Sequence, residues 1–230
     1  MTRPDGRAPA EIVGLVLAAG SGSRLGLGNK AFLEMHGTTL LRAAVRLLST
    51  CAGRVLVGVP AESLELARTE LAGLAEVCPG GGSRHETICR LFERCVEEIV
   101  VIHDVARPFA TSDLLLRVVE AARADGAAAP VVVPTSRVVC VEDGYVRAFV
   151  SRAQGHLGQT PQAFARTLLD RALRAAPPRS GEDPSPSELA VWLGIPVRAV
   201  PGEEMNFKIT TPLEWEMVEA LSMRSAADRS

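Results

Sequence analysis

Short, largely apolar runs alternate with longer stretches whose apolar residues recur at helical spacing. Residues 12–18, 54–59, 99–102 and 130–133 are the apolar runs, and each predicts a strand buried within a sheet. Between them, Leu40, Leu41, Ala44, Val45 and Leu48 make a helical stripe within 38–50. Residues 61–74 set charges against leucine and alanine at the same spacing, and 86–96 reads as a further helix. Glu76-Val77-Cys78 reads as a short strand. A helix capped by Thr111, Ser112 or Asp113 closes near Gly126. Strand and helix in alternation predict an α/β fold, a parallel sheet with helices on both faces.

From residue 137 the alternation breaks. Two β-type runs, 137–141 and 145–150, flank Glu142-Asp143-Gly144, and Asp-Gly between such runs predicts a hairpin. A hairpin that interrupts the alternation projects from the sheet as an arm with little core of its own. Such an arm packs on a second subunit, so a homodimer is expected. Residues 158–162 return the chain to the body, and 163–176 read as a helix. Prolines, serines and an acidic pair make 175–187 read as an exposed loop, and 197–200 is the last strand. Thr211-Pro212-Leu213-Glu214 opens a final helix with a capping box and an early proline; its expected stripe is Leu213, Met217, Val218 and Leu221. The tail from Arg224 reads as frayed. The expectation is one domain, 1–230, with the arm at about 135–158 and no internal repeat.

Composition narrows the function. The 230 residues are 47% hydrophobic and 23% charged, which suits one compact domain. A net charge of −2 gives no strongly basic surface, so no nucleic-acid partner is expected, although a local cationic pocket is allowed. Residues 1–9 are polar, without the apolar centre of a signal peptide, and no run approaches a membrane span. Five scattered cysteines, with no Cys-x-x-Cys, point to reduced thiols in the cytoplasm and against structural zinc.

Three loops at the carboxyl ends of expected strands carry the candidate chemistry, the position at which such folds bind ligands. The first, Ala18-Ala19-Gly20-Ser21-Gly22-Ser23-Arg24 with Asn29-Lys30, combines glycines that admit an anion to backbone N–H groups with two cations. That suits phosphate; the plain alternative is a tight turn with two solvated basic residues. The second is Pro79-Gly80-Gly81-Gly82-Ser83-Arg84, and the third His103-Asp104-Val105-Ala106-Arg107-Pro108. The first is not a dinucleotide fingerprint, because Leu25 holds the third glycine position. It is not a P-loop either, because Lys30 stands between Asn29 and Ala31.

Five segments together resemble one family. They are 17–24 with Asn29-Lys30, Gly81-Gly82-x-Arg84-x-x-Thr87, His103 to Pro108, Gln159-Thr160-Pro161-Gln162-Ala163-Phe164, and Asn206-Phe207-Lys208-Ile209-Thr210. In this order, from about residue 13 to 220, they are similar to the motifs of 2-C-methyl-D-erythritol 4-phosphate cytidylyltransferases of non-mevalonate isoprenoid synthesis. The resemblance implies a three-layer, nucleotide-sugar-transferase-like α/β sandwich with a mostly parallel central sheet and a protruding β arm. It implies CTP and a polyol phosphate as reactants, pyrophosphate and 4-diphosphocytidyl-2-C-methyl-D-erythritol as products, and Mg²⁺ or another divalent cation as cofactor, with no protein ligand named for the metal. By matching positions, Arg24 and Lys30 would hold the triphosphate and Lys208 would reach the α-phosphate from the other side. Ala18, Ala19, Gly20 and Gly22, with Gly82 and Thr87, would frame the nucleotide; Thr87 also reads as a helix cap. Asp104 and Arg107 would meet the acceptor, the alternative being a buried structural ion pair. Arg152 and Thr160 match acceptor-phosphate contacts, reaching toward a neighbouring subunit's site. His103 reads as structural, because the chemistry needs no imidazole.

The chain departs from the family mainly on the acceptor side. Pro134-Thr135-Ser136-Arg137-Val138 stands where the family has Asp-Thr-x-Lys, so Ser136 would replace the acceptor-touching threonine. Asp183-Pro184-Ser185-Pro186-Ser187-Glu188 replaces a Thr-Asp-Glu-Ala segment, while Asn29 and Ala31 replace proline and glutamine beside the loop lysine. These changes keep two alternatives in view: a cytidylyltransferase for another polyol phosphate or phosphonate, such as ribitol 5-phosphate, and a silent nucleotide-binding homologue.

Overall fold

The computed structural model describes residues 11–20, 29–174 and 183–227, with side chains to residue 222. In chain order its elements begin with β1 (Ile12–Leu17), a 3-10 turn (Lys30–Phe32) and a small hairpin of β2 (Glu34–Met35) and β3 (Thr38–Thr39). Next come α1 (Leu40–Ser49), β4 (Arg54–Val59), α2 (Leu64–Leu71), β5 (Glu76–Pro79), α3 (Arg84–Phe92), β6 (Ile99–Asp104), α4 (Ser112–Asp125) and β7 (Ala127–Val132). The second half holds β8 (Val139–Glu142), β9 (Tyr145–Phe149), β10 (Leu157–Gly158), β11 (Gln162–Ala165), α5 (Arg166–Leu173), α6 (Pro186–Trp192), β12 (Arg198–Pro201) and α7 (Pro212–Ala227).

Three of the apolar runs pair directly, β1 with β4 and with β6, whereas β11 separates β7 from β6. The main sheet has the order β10-β7-β11-β6-β1-β4-β5, with β12 also paired to β7. β6, β1, β4 and β5 are parallel neighbours. Alternation along β1 serves both faces. Ile12 and Val16 pack with α1, α2, α4 and α7, whereas Val13, Leu15 and Leu17 pack with α3, α5 and α6. This gives three layers, as expected. Fully burying one such aliphatic side chain contributes about 1.5–3 kcal/mol, so the central strands dominate the stability. Helix starts are fixed by hydroxyls: Thr39 accepts from the Arg42 N–H, Ser83 from Glu86 and Thr111 from Leu114.

Three expectations need correction. Residues 163–165 are not helical but form β11, an antiparallel strand inserted between β6 and β7, and the helix begins only at Arg166. The alanines fit there because both sheet faces at Ala163 and Phe164 are covered. The expected loop gives way to α6 at Pro186, where Ser185 and Glu188 form a reciprocal capping box; residues 175–182 lie outside the described ones. On α7 the buried face is Trp215 and Val218, while Leu213 and Met217 are exposed. That helix runs on to Ala227.

β8 and β9 pair only with each other, as a separate two-stranded sheet. Val141, Tyr145, Val146 and Phe149 of this arm are all more than half exposed.

Parallel strands bring their carboxyl ends to one side, and the unusual loops meet there. A Cβ on Gly80 would lie 2.4 Å from the Cβ of Ala19, so the first two loops touch. A Cβ on Gly58, in β4, would lie 2.6 Å from Cγ2 of Thr87. Gly58→Ala should therefore lower the unfolding free energy by about 1–3 kcal/mol in denaturant titration. Adding Thr87→Ser, which removes that methyl group, should recover part of the loss; no recovery would contradict this packing.

Candidate active site

Two joined cavities open at the carboxyl ends of β1 and β6. The first, of about 580 Å³, is lined by Ala18, Ala19 and Gly20, by Lys30, by Gly81 and Gly82, and by Thr87. Its glycine loop is held from below. The Thr87 hydroxyl accepts from the Gly81 N–H at 2.9 Å and donates to the Ser83 carbonyl at 2.8 Å. Thr87 thus shapes the loop, while Ser83 is the cap of α3. The Glu86 carboxylate accepts from the Gly82 N–H at 2.7 Å, and that bond, with Arg90 beside it, holds its pKa below the usual range. The Lys30 amine donates to the Ile209 carbonyl at 3.0 Å, which ties the first loop to the residue after Lys208.

Asp104 stands where the cavities join. Its carboxylate is buried at the end of β6. The Arg84 guanidinium donates to one oxygen at 3.0 and 3.3 Å, and the Lys208 amine to the other at 2.8 Å. Burial pushes the Asp104 pKa up, but the Arg84 and Lys208 charges outweigh it and hold the carboxyl far below the usual carboxylate range. The third Arg84 nitrogen, Nη1, is buried and has no partner among the described residues. The Asp183 carboxylate accepts from the Arg84 and His85 backbone N–H groups, at the first turn of α3.

The second cavity, of about 900 Å³, shares Arg84, Asp104, Asp183 and Lys208 with the first and adds Arg107 and Thr160. Buried amides join its walls. Gln159 donates to the Glu203 and Asn206 carbonyls, and its own oxygen accepts from the Glu203 N–H and the Asn206 side chain. Asn206 also donates to the Thr160 carbonyl at 2.9 Å. Arg107 does not pair with Asp104; it donates to the Asn206 carbonyl at 2.7 Å and the Gly158 carbonyl at 3.2 Å. His103, behind Asp104, lies between the Arg107 carbonyl and the Thr160 hydroxyl, 3.2 Å from each.

Lys30, Lys208, Ala18, Ala19, Gly20, Gly82 and Thr87 therefore share one cavity with Asp104, and Arg107 and Thr160 line the adjoining one. Ser136 and Arg152 are exposed at the two ends of the arm and line neither cavity. Gly22 and Arg24 lie outside the described residues. Sequence reading missed the roles of Arg84 and Asp183. Arg84 lies in the Gly81-Gly82-x-Arg84 motif, but nothing local shows that its side chain meets a carboxylate 20 residues away.

The family model IspD, 2-C-methyl-D-erythritol 4-phosphate cytidylyltransferase, matches residues 12–224. A relative of that name from Thermus thermophilus is 39% identical over 214 residues, which cover 92% of this chain and 97% of the relative. Another, from Rhodococcus jostii, is 39% identical over 223 residues, 94% and 96% of the two chains. The crystal structure of the Thermus thermophilus protein has a TM-score of 0.76 at 34% identity, covering 91% of this chain and 98% of that one. A structure titled 4-diphosphocytidyl-2C-methyl-D-erythritolsynthase from Anaerococcus prevotii, at 24% identity and TM-score 0.79, covers 94% and 96% and bears on the fold alone.

The buried network makes the fold acid-sensitive. Burial lowers the His103 pKa from 6.5 to about 4, against the opposing pull of Asp104. The folded imidazole stays neutral while the unfolded one takes up a proton below about 6.5, so stability falls as pH drops from 6.5 towards 4. The full difference is about 3 kcal/mol. Thermal unfolding midpoints should fall across this window in the native protein and fall less in His103→Phe, which cannot titrate. Equal slopes would contradict the assignment.

Proposed function

The chain belongs to the 2-C-methyl-D-erythritol 4-phosphate cytidylyltransferase family, and we infer that its joined cavities divide the reaction, CTP in the first and the acceptor in the second. It is a CTP-dependent nucleotidyltransferase of isoprenoid precursor synthesis. It joins CTP to 2-C-methyl-D-erythritol 4-phosphate, giving 4-diphosphocytidyl-2-C-methyl-D-erythritol and pyrophosphate. The observation that carries the division of labour is the wall of Arg84, Asp104 and Lys208 common to both cavities.

An acceptor phosphate oxygen attacks the α-phosphorus in line. The new P–O bond forms as the bond from the α-phosphorus to the bridging oxygen breaks, and pyrophosphate leaves with the electron pair. A phosphate dianion needs no base, so the residues' task is to align two anions and offset their charge. Lys30 and Lys208 suit that task, because the Lys30 amine is anchored to the carbonyl adjoining Lys208. The Lys208 amine, 43% exposed at its side chain and held by Asp104, lies on the wall where the reactants meet. Asp104 is suited to accept from polyol hydroxyls, and Arg107, whose guanidinium lines the second cavity, to face the acceptor phosphate.

For a divalent ion, among the described residues no group of three or more His, Cys, Asp or Glu side chains is placed to hold one. Asp104 and Asp183, which border the first cavity, are both engaged by protein donors. Mg²⁺ or another divalent cation is therefore proposed to arrive on the triphosphate, where it neutralises phosphate charge. A homodimer through the arm is likewise proposed, supported by exposed Val141, Tyr145, Val146 and Phe149. Ser136 and Arg152 would then act in the partner's second cavity. A cytoplasmic location is supported by five unpaired cysteines.

Pyrophosphate release with CTP and Mg²⁺ should be fastest with 2-C-methyl-D-erythritol 4-phosphate among polyol phosphates and phosphonates that include ribitol 5-phosphate. Turnover confined to another acceptor would overturn the acceptor assignment. Lys30→Ala and Lys208→Ala should each lower kcat by about two to three orders of magnitude, with a much smaller change in CTP affinity. Loss of binding with kcat intact would contradict their placement. Replacing Tyr145 and Phe149 with serine should shift sedimentation from dimer to monomer and raise the acceptor KM; a native-like monomer with full activity would remove the arm from the site.

A further inference from the structure

We propose that His103 is a positioning residue for the acceptor, acting through the Thr160 hydroxyl on the backbone that carries Asp104 and Arg107. This rests on the assignment of the second cavity to the acceptor. The direction of each hydrogen bond follows from chemistry. The Arg107 carbonyl can only accept, so His103 Nε2, 3.2 Å away, carries the ring proton. Burial keeps the ring neutral, which leaves Nδ1 bare and able only to accept. The Thr160 hydroxyl, 3.2 Å from Nδ1, must donate to it. Its oxygen then accepts from the Asp104 N–H at 3.1 Å. The Arg107 N–H closes the circuit by donating to the Asp104 carbonyl at 3.0 Å.

Two consequences follow. The ring fixes both ends of the turn that carries Asp104 and Arg107. It also takes the one proton of Thr160, so this hydroxyl has none left to donate to an acceptor phosphate. Thr160 can still accept from a polyol hydroxyl. Its main task is to hold the Asp104 N–H, with His103 setting its orientation.

Steady-state kinetics in both substrates, with CTP affinity measured separately, tests the pair. His103→Phe keeps a flat ring and removes both bonds; it should raise the acceptor KM about tenfold or more and leave CTP affinity within about twofold. Thr160→Val should behave alike and keeps the test open should His103→Phe fail to fold, while Thr160→Ser should stay within about threefold of native. His103→Asn, whose amide oxygen can replace Nδ1 as acceptor, should recover part of the acceptor KM. The double variant His103→Phe/Thr160→Val should be no worse than the poorer single one, because one chain is broken in both. Equal losses for CTP and acceptor, or additive losses in the double variant, would overturn the proposal. Arg107→Ala is the control. If it leaves the acceptor KM unchanged, the second cavity is not the acceptor's. If it raises KM while His103→Phe and Thr160→Val do not, only the positioning role fails.

Discussion

Asp104 ends a strand that is buried along its whole length, and its charge cannot stand alone there. Taking a carboxylate out of water costs several kcal/mol unless cations and hydrogen bonds replace the solvent. Arg84 supplies one partner from α3, and Lys208 another from the segment before α7. Satisfying that single charge therefore draws the second glycine loop and the distant lysine to the end of β6. Lys30 follows, because its amine rests on the carbonyl of Ile209. One buried carboxylate thus gathers Arg84 and Lys208 and, through Ile209, brings Lys30 beside them.

Around this charge the protein places groups with fixed roles. The Gln159 and Asn206 amides join two sequence-distant segments, 159–160 and 203–206, through carbonyls and N–H groups. Buried networks of this kind favour one arrangement when their donors and acceptors are matched; here the Gln159 amide is fully used, while Asn206 Oδ1 has no partner among the described residues. Two buried guanidinium nitrogens, Arg84 Nη1 and Arg107 Nε, find no partner among the described residues, and both side chains line the proposed acceptor cavity.

Much of this was legible in the sequence, and the failures have physical causes. β1, β4 and β6 were readable because both faces are buried, which leaves uninterrupted apolar runs. Thr111 and Gly126 marked α4 because caps act locally. β11 was missed because Ala163-Phe164-Ala165 has no strand bias of its own; pairing with β6 and β7 decides it. α6 could have been found from Ser185-Pro186-Ser187-Glu188, a capping box with proline at the first turn, but the surrounding prolines and serines suggested a loop. On α7 the spacing allowed two faces, and contact with the core selects Trp215 and Val218. Individual site residues were legible as motifs. Their connections were not, since Arg84 to Asp104 and Lys30 to Ile209 are long-range contacts that no local pattern encodes.

In the proposed site the Asp104 charge organises the acceptor side and does not itself hold the nucleotide. Asp104→Asn measured by CTP titration and by steady-state turnover tests this most directly. Removing the negative charge leaves Arg84 and Lys208 facing the triphosphate, so CTP should bind as tightly as before or more tightly. kcat/KM for the acceptor should fall about a hundredfold or more. A CTP affinity that falls in proportion to turnover would contradict the account.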